Sequence, residues 1–358
     1  MIRGIRAVLA ASSLVVVLAA CVSAVEMSSD SSQHRVSVAA SVSGATGVAH
    51  SAHGEVPASD QNSQLSYQTV SQAALAIEQK KGPEAALDYL DKQILNFPSV
   101  SGICHAVAHD IGHASLDHFG GVVAKALAVR NDVCGGGYVH GVVEQALAGS
   151  TDIAHDLLRV CAPNQDGSCW HGVGHGVMFA TKYNLGRTLK LCRSAPSIRL
   201  AIRCSEGVFM QLFTLDDGIG HAAGQGFVLP APTSAARTCA KTPSTFADTC
   251  WFYSTTVWLQ LHPDDWKGLV TWCRSQSGVD AKSSCLRGVG SRLVKYHPDK
   301  ISFGANICSR VGERYVTDCL RGMGSYWSVN WKGKKEQSDV CRHIDDSDLA
   351  SRCRKALA

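Results

Sequence analysis

The stretch Cys169-Trp170-His171-Gly172-Val173-Gly174-His175-Gly176-Val177-Met178 returns further along the chain in altered form. It reads Cys204-Ser205-Glu206-Gly207-Val208-Phe209-Met210-Gln211-Leu212, then Cys285-Leu286-Arg287-Gly288-Val289-Gly290-Ser291-Arg292-Leu293, then Cys319-Leu320-Arg321-Gly322-Met323-Gly324-Ser325-Tyr326-Trp327. Cysteine, glycine and apolar residues keep their places while the polar ones change. Apolar residues three and four apart mark a helix that begins near each cysteine. Gly172, Gly207, Gly288 and Gly322 share one position. A glycine costs about 1 kcal/mol inside a helix, so its return there predicts that a neighbouring backbone approaches closely.

A second cysteine precedes each of these helices. The pairs are Cys161 and Cys169, Cys192 and Cys204, Cys239 and Cys250, Cys273 and Cys285, Cys308 and Cys319, and Cys341 and Cys353, with separations of 8, 12, 11, 12, 11 and 12. Their second members, together with Cys134, advance in steps of 35, 35, 46, 35, 34 and 34. The segments leading to the first cysteines, such as Thr151 to Cys161 and Asp265 to Cys273, are amphipathic at helical spacing. A self-similar unit of about 35 residues predicts an all-α fold, an α-solenoid of helical-hairpin repeats with a disulfide clipping each hairpin. Closing a loop of about a dozen residues stabilises by roughly 3 kcal/mol, which helps a hairpin that cannot bury its own apolar face. Cys104 and Cys134 lack an upstream partner and are expected to join each other, giving seven disulfides. Eight hairpins are expected over 67–358, led by a helix from Pro83 to Asn96. The step of 46 marks an inserted loop at 216–232, whose Gly218, Gly220, Gly224 and Gly226 would let it close as a lid. The architecture is similar to the cysteine-rich repeats of Sel1-like proteins, but none of that family's motifs is present.

The chain has 358 residues, 45% of them hydrophobic, and 15 cysteines. So many cysteines point to an oxidising compartment. Arg3 and Arg6 precede an uncharged run from Ala7 to Ala20, too short for a permanent span, which reads as a signal peptide over 1–20. Its end, Leu18-Ala19-Ala20-Cys21, resembles the lipobox of bacterial lipoproteins and implies a lipid on Cys21. Fourteen cysteines, an even number, then remain. Cleavage after Val22-Ser23-Ala24 would instead leave a secreted protein. Residues 21–66, rich in Ser, Ala, Val and Gly, read as a disordered tether, with His34, His50 and His53 solvated on it. The expected location is extracytoplasmic, with the membrane as partner through the lipid. Without Arg3 and Arg6, 32 basic residues face 30 acidic ones, so no nucleic-acid partner is expected.

The chemistry gathers at one register of the second helices. Aligned there are His109, His140, His175, Met210, Thr256, Ser291 and Ser325. Four residues earlier stand His105, Gly136, His171, Glu206, Phe252, Arg287 and Arg321; four later stand His113, Glu144, Phe179, Thr214, Gln260, Lys295 and Val329. Residues four apart share a helix face, and two imidazoles so spaced can grip one ion, as the paired histidines of zinc-protease helices do. The candidate metal ligands are His109, His113, His140, Glu144, His171 and His175. They suit one or two transition-metal ions such as Zn, Cu or Fe, not Ca or Mg. The histidine column ends where the cysteine and glycine columns continue, so duplication alone does not explain it. Glu144, Glu206 and His105 are candidate proton carriers, the room beside Gly136 can admit a small molecule, and Arg287, Arg321 and Lys295 are candidates for holding an anion. These residues point to a metal-binding lipoprotein, either an enzyme or redox protein or one that only carries metal. The alternative is a scaffold with structural histidines that binds a protein or glycan on its concave face.

Overall fold

A computed structural model of the chain describes residues 66–130, 133–162, 167–214, 229–329 and 336–358. All of them belong to one compact unit, His53–Ala358. The signal peptide, Cys21 and the tether over 21–65 lie outside the described residues, as does 216–228 of the expected insertion. That insertion's end leads directly into a helix opened by Pro232.

Among the described residues the structure is helical and has no strand. Sixteen α-helices follow one another: α1 (Tyr67–Lys81), α2 (Pro83–Asn96), α3 (Cys104–His118), α4 (Val123–Leu127), α5 (Gly137–Ala148), α6 (Ile153–Val160), α7 (Gly167–Ala180), α8 (Leu185–Cys192), α9 (Ile198–Phe213), α10 (Pro232–Lys241), α11 (Ser244–Leu261), α12 (Trp266–Ser275), α13 (Val279–Tyr296), α14 (Ile301–Cys308), α15 (Val316–Val329) and α16 (Ser347–Leu357). Short polar side chains start several of them. Asp152, Asn184, Ser197 and Asp265 each accept a hydrogen bond from a backbone N–H in the first turn of α6, α8, α9 and α12. Pro83 occupies the first turn of α2, where its missing N–H costs nothing.

Six disulfides form at the six close pairs expected: Cys161 with Cys169, Cys192 with Cys204, Cys239 with Cys250, Cys273 with Cys285, Cys308 with Cys319, and Cys341 with Cys353. Each joins the end of one helix to the helix that follows. The last differs from the expected hairpin in one respect. Cys353 lies on α16, as a second member should, but its partner Cys341 lies on the 3-10 helix Gln337–His343 instead of an α-helix. The Cα atoms lie 5.3 Å apart in Cys239–Cys250, 5.6 Å in Cys341–Cys353 and 5.8 Å in Cys161–Cys169, within the span a disulfide bridges. These bonds are consistent with an extracytoplasmic setting. No helix among the described residues is long and apolar enough to cross a membrane.

The expected seventh bond is absent. Cys104 and Cys134 are buried thiols in side-chain contact. Burial, then the neighbouring Cys104, pushes the Cys134 thiol far up, so it is held uncharged. The other second-member cysteines lie within a helix, whereas Cys134 sits on the 3-10 turn Cys134–Gly136 with φ +52°. The two thiols therefore meet across elements rather than across one hairpin.

The longer helices α3, α5, α7, α9, α11, α13 and α15 pack side by side in that order. Glycine sets the spacing. A Cβ on Gly207 would overlap the His171 carbonyl oxygen, one on Gly174 would overlap that of Cys204, and the same holds for Gly141 on His109 and Gly322 on Arg287. Gly172 lies with its Cβ position 2.9 Å from the His140 Cα. The close approach expected from the glycine column is thus realised, and facing helices bring their side chains together.

An open solenoid would keep its ends apart, and here they meet. The last helices α13 and α15 return to the 3-10 turns Pro98–Gly102 and Cys134–Gly136. A Cβ on Gly102 would stand 3.4 Å from Lys295 O, and one on Gly135 would stand 3.3 Å from Val329 O. The seven helices form a ring around a cavity of about 610 Å³, to which each contributes: His105, His140, His171, Glu206, Phe252, Arg287 and Arg321 in turn. The expected concave face is therefore the lining of a cavity that stays partly open to solvent.

Candidate metal centre

Five histidines and a glutamate from three neighbouring helices converge in one half of this interior. His105 and His109 lie one turn apart on α3, His140 and Glu144 one turn apart on α5, and His171 and His175 one turn apart on α7. All six are buried, His175 completely. Burying so many polar rings is costly unless each finds a partner.

Two groups of donor atoms lie close enough to share an ion, each with its atoms within 4.8 Å of one another: His105, His109, His140 and His175; and His109, His113 and Glu144. His105, expected as a proton carrier, is in the four-histidine group. His171, expected as a ligand, is in neither. It stacks on His140 at 4.4 Å, and its Nδ1 lies 3.6 Å from Glu206 Oε2. His113 and Glu144 fall in the second group, joined to the first through His109.

The hydrogen bonds orient the rings. His105 Nδ1 donates to Cys134 O at 2.8 Å, His109 Nδ1 to Glu144 Oε2 at 3.3 Å, and His175 Nδ1 to Gln211 Oε1 at 3.0 Å. Gln211 is itself fixed by donating from Nε2 to the Tyr183 hydroxyl at 3.2 Å. In each ring the Nδ1 proton is spent on an acceptor, so Nε2 carries a lone pair. Two of those lone-pair nitrogens, on His105 and His109, stand 3.2 Å apart. His140 is held the other way round, with Nε2 3.2 Å from Ser168 Oγ and a buried Nδ1 that makes no hydrogen bond.

Charge follows the same geometry. Burial holds His109, His140 and His171 below the usual histidine range, and their histidine neighbours add to the effect. Burial works against the charge on Glu144, but hydrogen bonds from His109 and His113 prevail and hold its carboxyl well below the usual range. Burial likewise opposes charge on His113, and the Glu144 carboxylate overcomes it, raising that histidine. The interior thus contains one His113–Glu144 ion pair beside His109, His140 and His171, which burial holds neutral.

Such a set can hold a metal. Metal–nitrogen bonds of about 2.0–2.1 Å put tetrahedral donors about 3.3 Å apart, close to the His105–His109 spacing. Imidazole donors suit Zn, Cu or Fe. Acceptors behind Nδ1 are what metal-bound histidines ordinarily use to fix their tautomer, and Glu144 and Gln211 stand in that place.

Glu206 lies on the cavity wall, paired with Arg203. Burial raises its carboxyl, against the pull of Arg203 and Arg287. Arg321 is exposed and donates from Nε to Ala356 O at 3.0 Å, while Arg287 lies 5.4 Å over the Phe252 ring. Gln211 and Arg292 stand one position beyond the aligned Met210 and Ser291, so a search restricted to columns four apart passes over them. No protein-family model, curated protein or solved structure matches this chain.

Proposed function

We propose that the protein is an extracytoplasmic transition-metal protein in which His105, His109, His140 and His175 hold one ion. The observation that carries this reading is the anchoring of three Nδ1 atoms by Cys134 O, Glu144 and Gln211, which turns the Nε2 lone pairs towards one another. Two ring nitrogens 3.2 Å apart need a cation between them, a metal ion or a proton, to avoid repulsion of their lone pairs. A proton on His105 Nε2 donated to His109 Nε2 is the competing reading, and elemental analysis separates the two. The second group, His109, His113 and Glu144, supports the first as an ion pair behind His109.

His105 and His140 also face the cavity, so a small molecule entering it reaches the ion. This favours chemistry on a bound molecule over simple metal carriage, with Glu206 and the neutral His171 as the nearest groups able to move a proton. A cavity of about 610 Å³ suits a small molecule better than the broad concave face a protein-binding scaffold would offer. We place the protein at the membrane through a lipid on Cys21, and read the helix pairs as repeats of about 35 residues.

Elemental analysis of protein purified without chelator tests the centre. One transition-metal ion per chain is expected, with loss of that ion in His140→Ala and His175→Ala. Absence of stoichiometric metal, or its retention in both variants, contradicts the reading. Uptake of azide by the bound ion would support an open coordination position; a closed site would count against turnover. For the anchor, mass analysis of the amino-terminal peptide should find a lipid-modified Cys21, and an unmodified start at Val25 would overturn it.

A further inference from the structure

Beyond the histidines the cavity is lined by basic side chains. Arg203, Arg287, Arg292, Lys295 and Arg321 all border it, and Glu206 is the one side-chain carboxylate among the described lining residues. That carboxylate is already paired with Arg203. Two of the cations are deeply buried: Arg292 is 3% exposed and Lys295 2%. A guanidinium does not lose its proton at any physiological pH, so Arg292 cannot escape burial by becoming neutral.

Among the described residues no carboxylate pairs with Arg292. There its terminal nitrogens reach two hydroxyls, Thr256 Oγ1 and Ser291 Oγ, each at 3.4 Å, and its Nε makes no hydrogen bond. The Phe252 and Tyr253 rings lie 5.8 and 5.6 Å from its guanidinium carbon. Arg287 approaches the same Phe252 ring at 5.4 Å. Aromatic faces position two guanidiniums side by side in the cavity wall without cancelling their charge. Buried cations are ordinarily paired, and a planar fork of donors matches an oxyanion.

We infer that the cavity binds a small organic oxyanion, its carboxylate or phosphate head held by Arg287, Arg292 and Lys295 and its apolar body against Phe252 and Met210. At about 610 Å³ the cavity has the size of a small-molecule site. The opposite end of such a ligand faces His105 and His140. That last placement, and with it the role of the anion as substrate of a metal centre, rests on the reading proposed above; the oxyanion site does not.

The test is calorimetric titration of the purified protein with benzoate, phenyl phosphate and, as uncharged control, benzyl alcohol, before and after chelator treatment. Saturable binding of at least one anion is expected, about tenfold or more tighter than the alcohol, and weakened by about tenfold or more in Arg292→Met and Arg287→Gln. Stronger binding of benzoate or of phenyl phosphate identifies the head group. Arg292→Met should also raise the thermal midpoint of the ligand-free protein, because it removes an uncompensated buried charge; a purely structural arginine would lower it. No saturable binding of either anion, equal affinity for the alcohol, or unchanged affinity in both variants would overturn the proposal. Binding that survives chelation leaves the oxyanion site standing even where no native metal is found. A metal-bound protein without anion binding sinks this inference alone.

Discussion

The two halves of the ring are built alike and carry opposite chemistry. From α3 to α7 the aligned positions hold His105, His109, His140, His171 and His175; from α11 to α15 they hold Phe252, Arg287, Ser291, Lys295 and Arg321. Both halves use glycine crossings of the same kind, Gly207 on His171 in one and Gly322 on Arg287 in the other. An imidazole can be buried by giving up its charge, as the lowered His109, His140 and His171 do, whereas Arg292 cannot. One scaffold thus yields lone pairs that call for a cation and, on other helices of the same ring, cations that call for an anion. The scaffold and the chemistry occupy different positions of the same helix.

That separation can be broken most severely at the crossings. Gly207→Ala and Gly322→Ala each place a Cβ into a carbonyl oxygen of the facing helix, and both should destabilise by about 3 kcal/mol or more, measured by thermal or urea unfolding. An unchanged midpoint in either would show that the helices can part without cost. A smaller effect distinguishes the halves. Glu144→Gln and Gln211→Leu should weaken metal binding by roughly 10–100-fold while the protein stays folded, and Arg292→Met should leave it unchanged. Equal losses in all three would mean that the two halves are not chemically distinct.

The smallest effect is on acid stability of the chelator-treated protein. His109, His140 and His171 have folded values below the ordinary histidine value of 6.5, so the unfolded chain takes up protons first as pH falls. Their contribution is present above that value and lost as pH falls through it. His113, raised by Glu144, runs the other way, its contribution being lost as pH rises through its folded value. The raised carboxyls of Glu78 and Glu206 act on the side of His113; His140 and His171 are held furthest from the ordinary value, so urea midpoints should be lower at about pH 5.5 than at about pH 7.5. A midpoint that rises on acidification would contradict the neutral state of the buried imidazoles.

Local features are legible in the sequence and distant ones are not. Cysteine spacing identifies every disulfide among the described residues, from Cys161–Cys169 to Cys341–Cys353, because residues 8 to 12 apart in a hairpin meet through its turn. Gly207 and Gly322 announce close crossings, because only a backbone contact makes glycine useful inside a helix. The histidines on α3, α5 and α7 fall on one face by periodicity alone. Closure of the ring is hidden, since nothing in either segment records that Gly135 meets Val329 almost two hundred residues away. Closure also turns an expected concave face into a cavity. The division of labour among the histidines depends on tautomers, and these are set by Cys134 O, Glu144 and Gln211, which only packing brings together. Cys104 and Cys134 mislead for the same kind of reason: having no partner elsewhere in the chain predicts that they meet, and they do, but as thiols.

X-ray absorption spectroscopy at the edge of the bound metal tests the centre most directly. About four nitrogen donors at about 2.0–2.1 Å, with imidazole outer-shell scattering and no sulfur, are the expected result. Sulfur at about 2.3 Å, which would bring Cys104 or Cys134 into the first shell, or a shell of oxygen alone, would contradict a four-histidine centre.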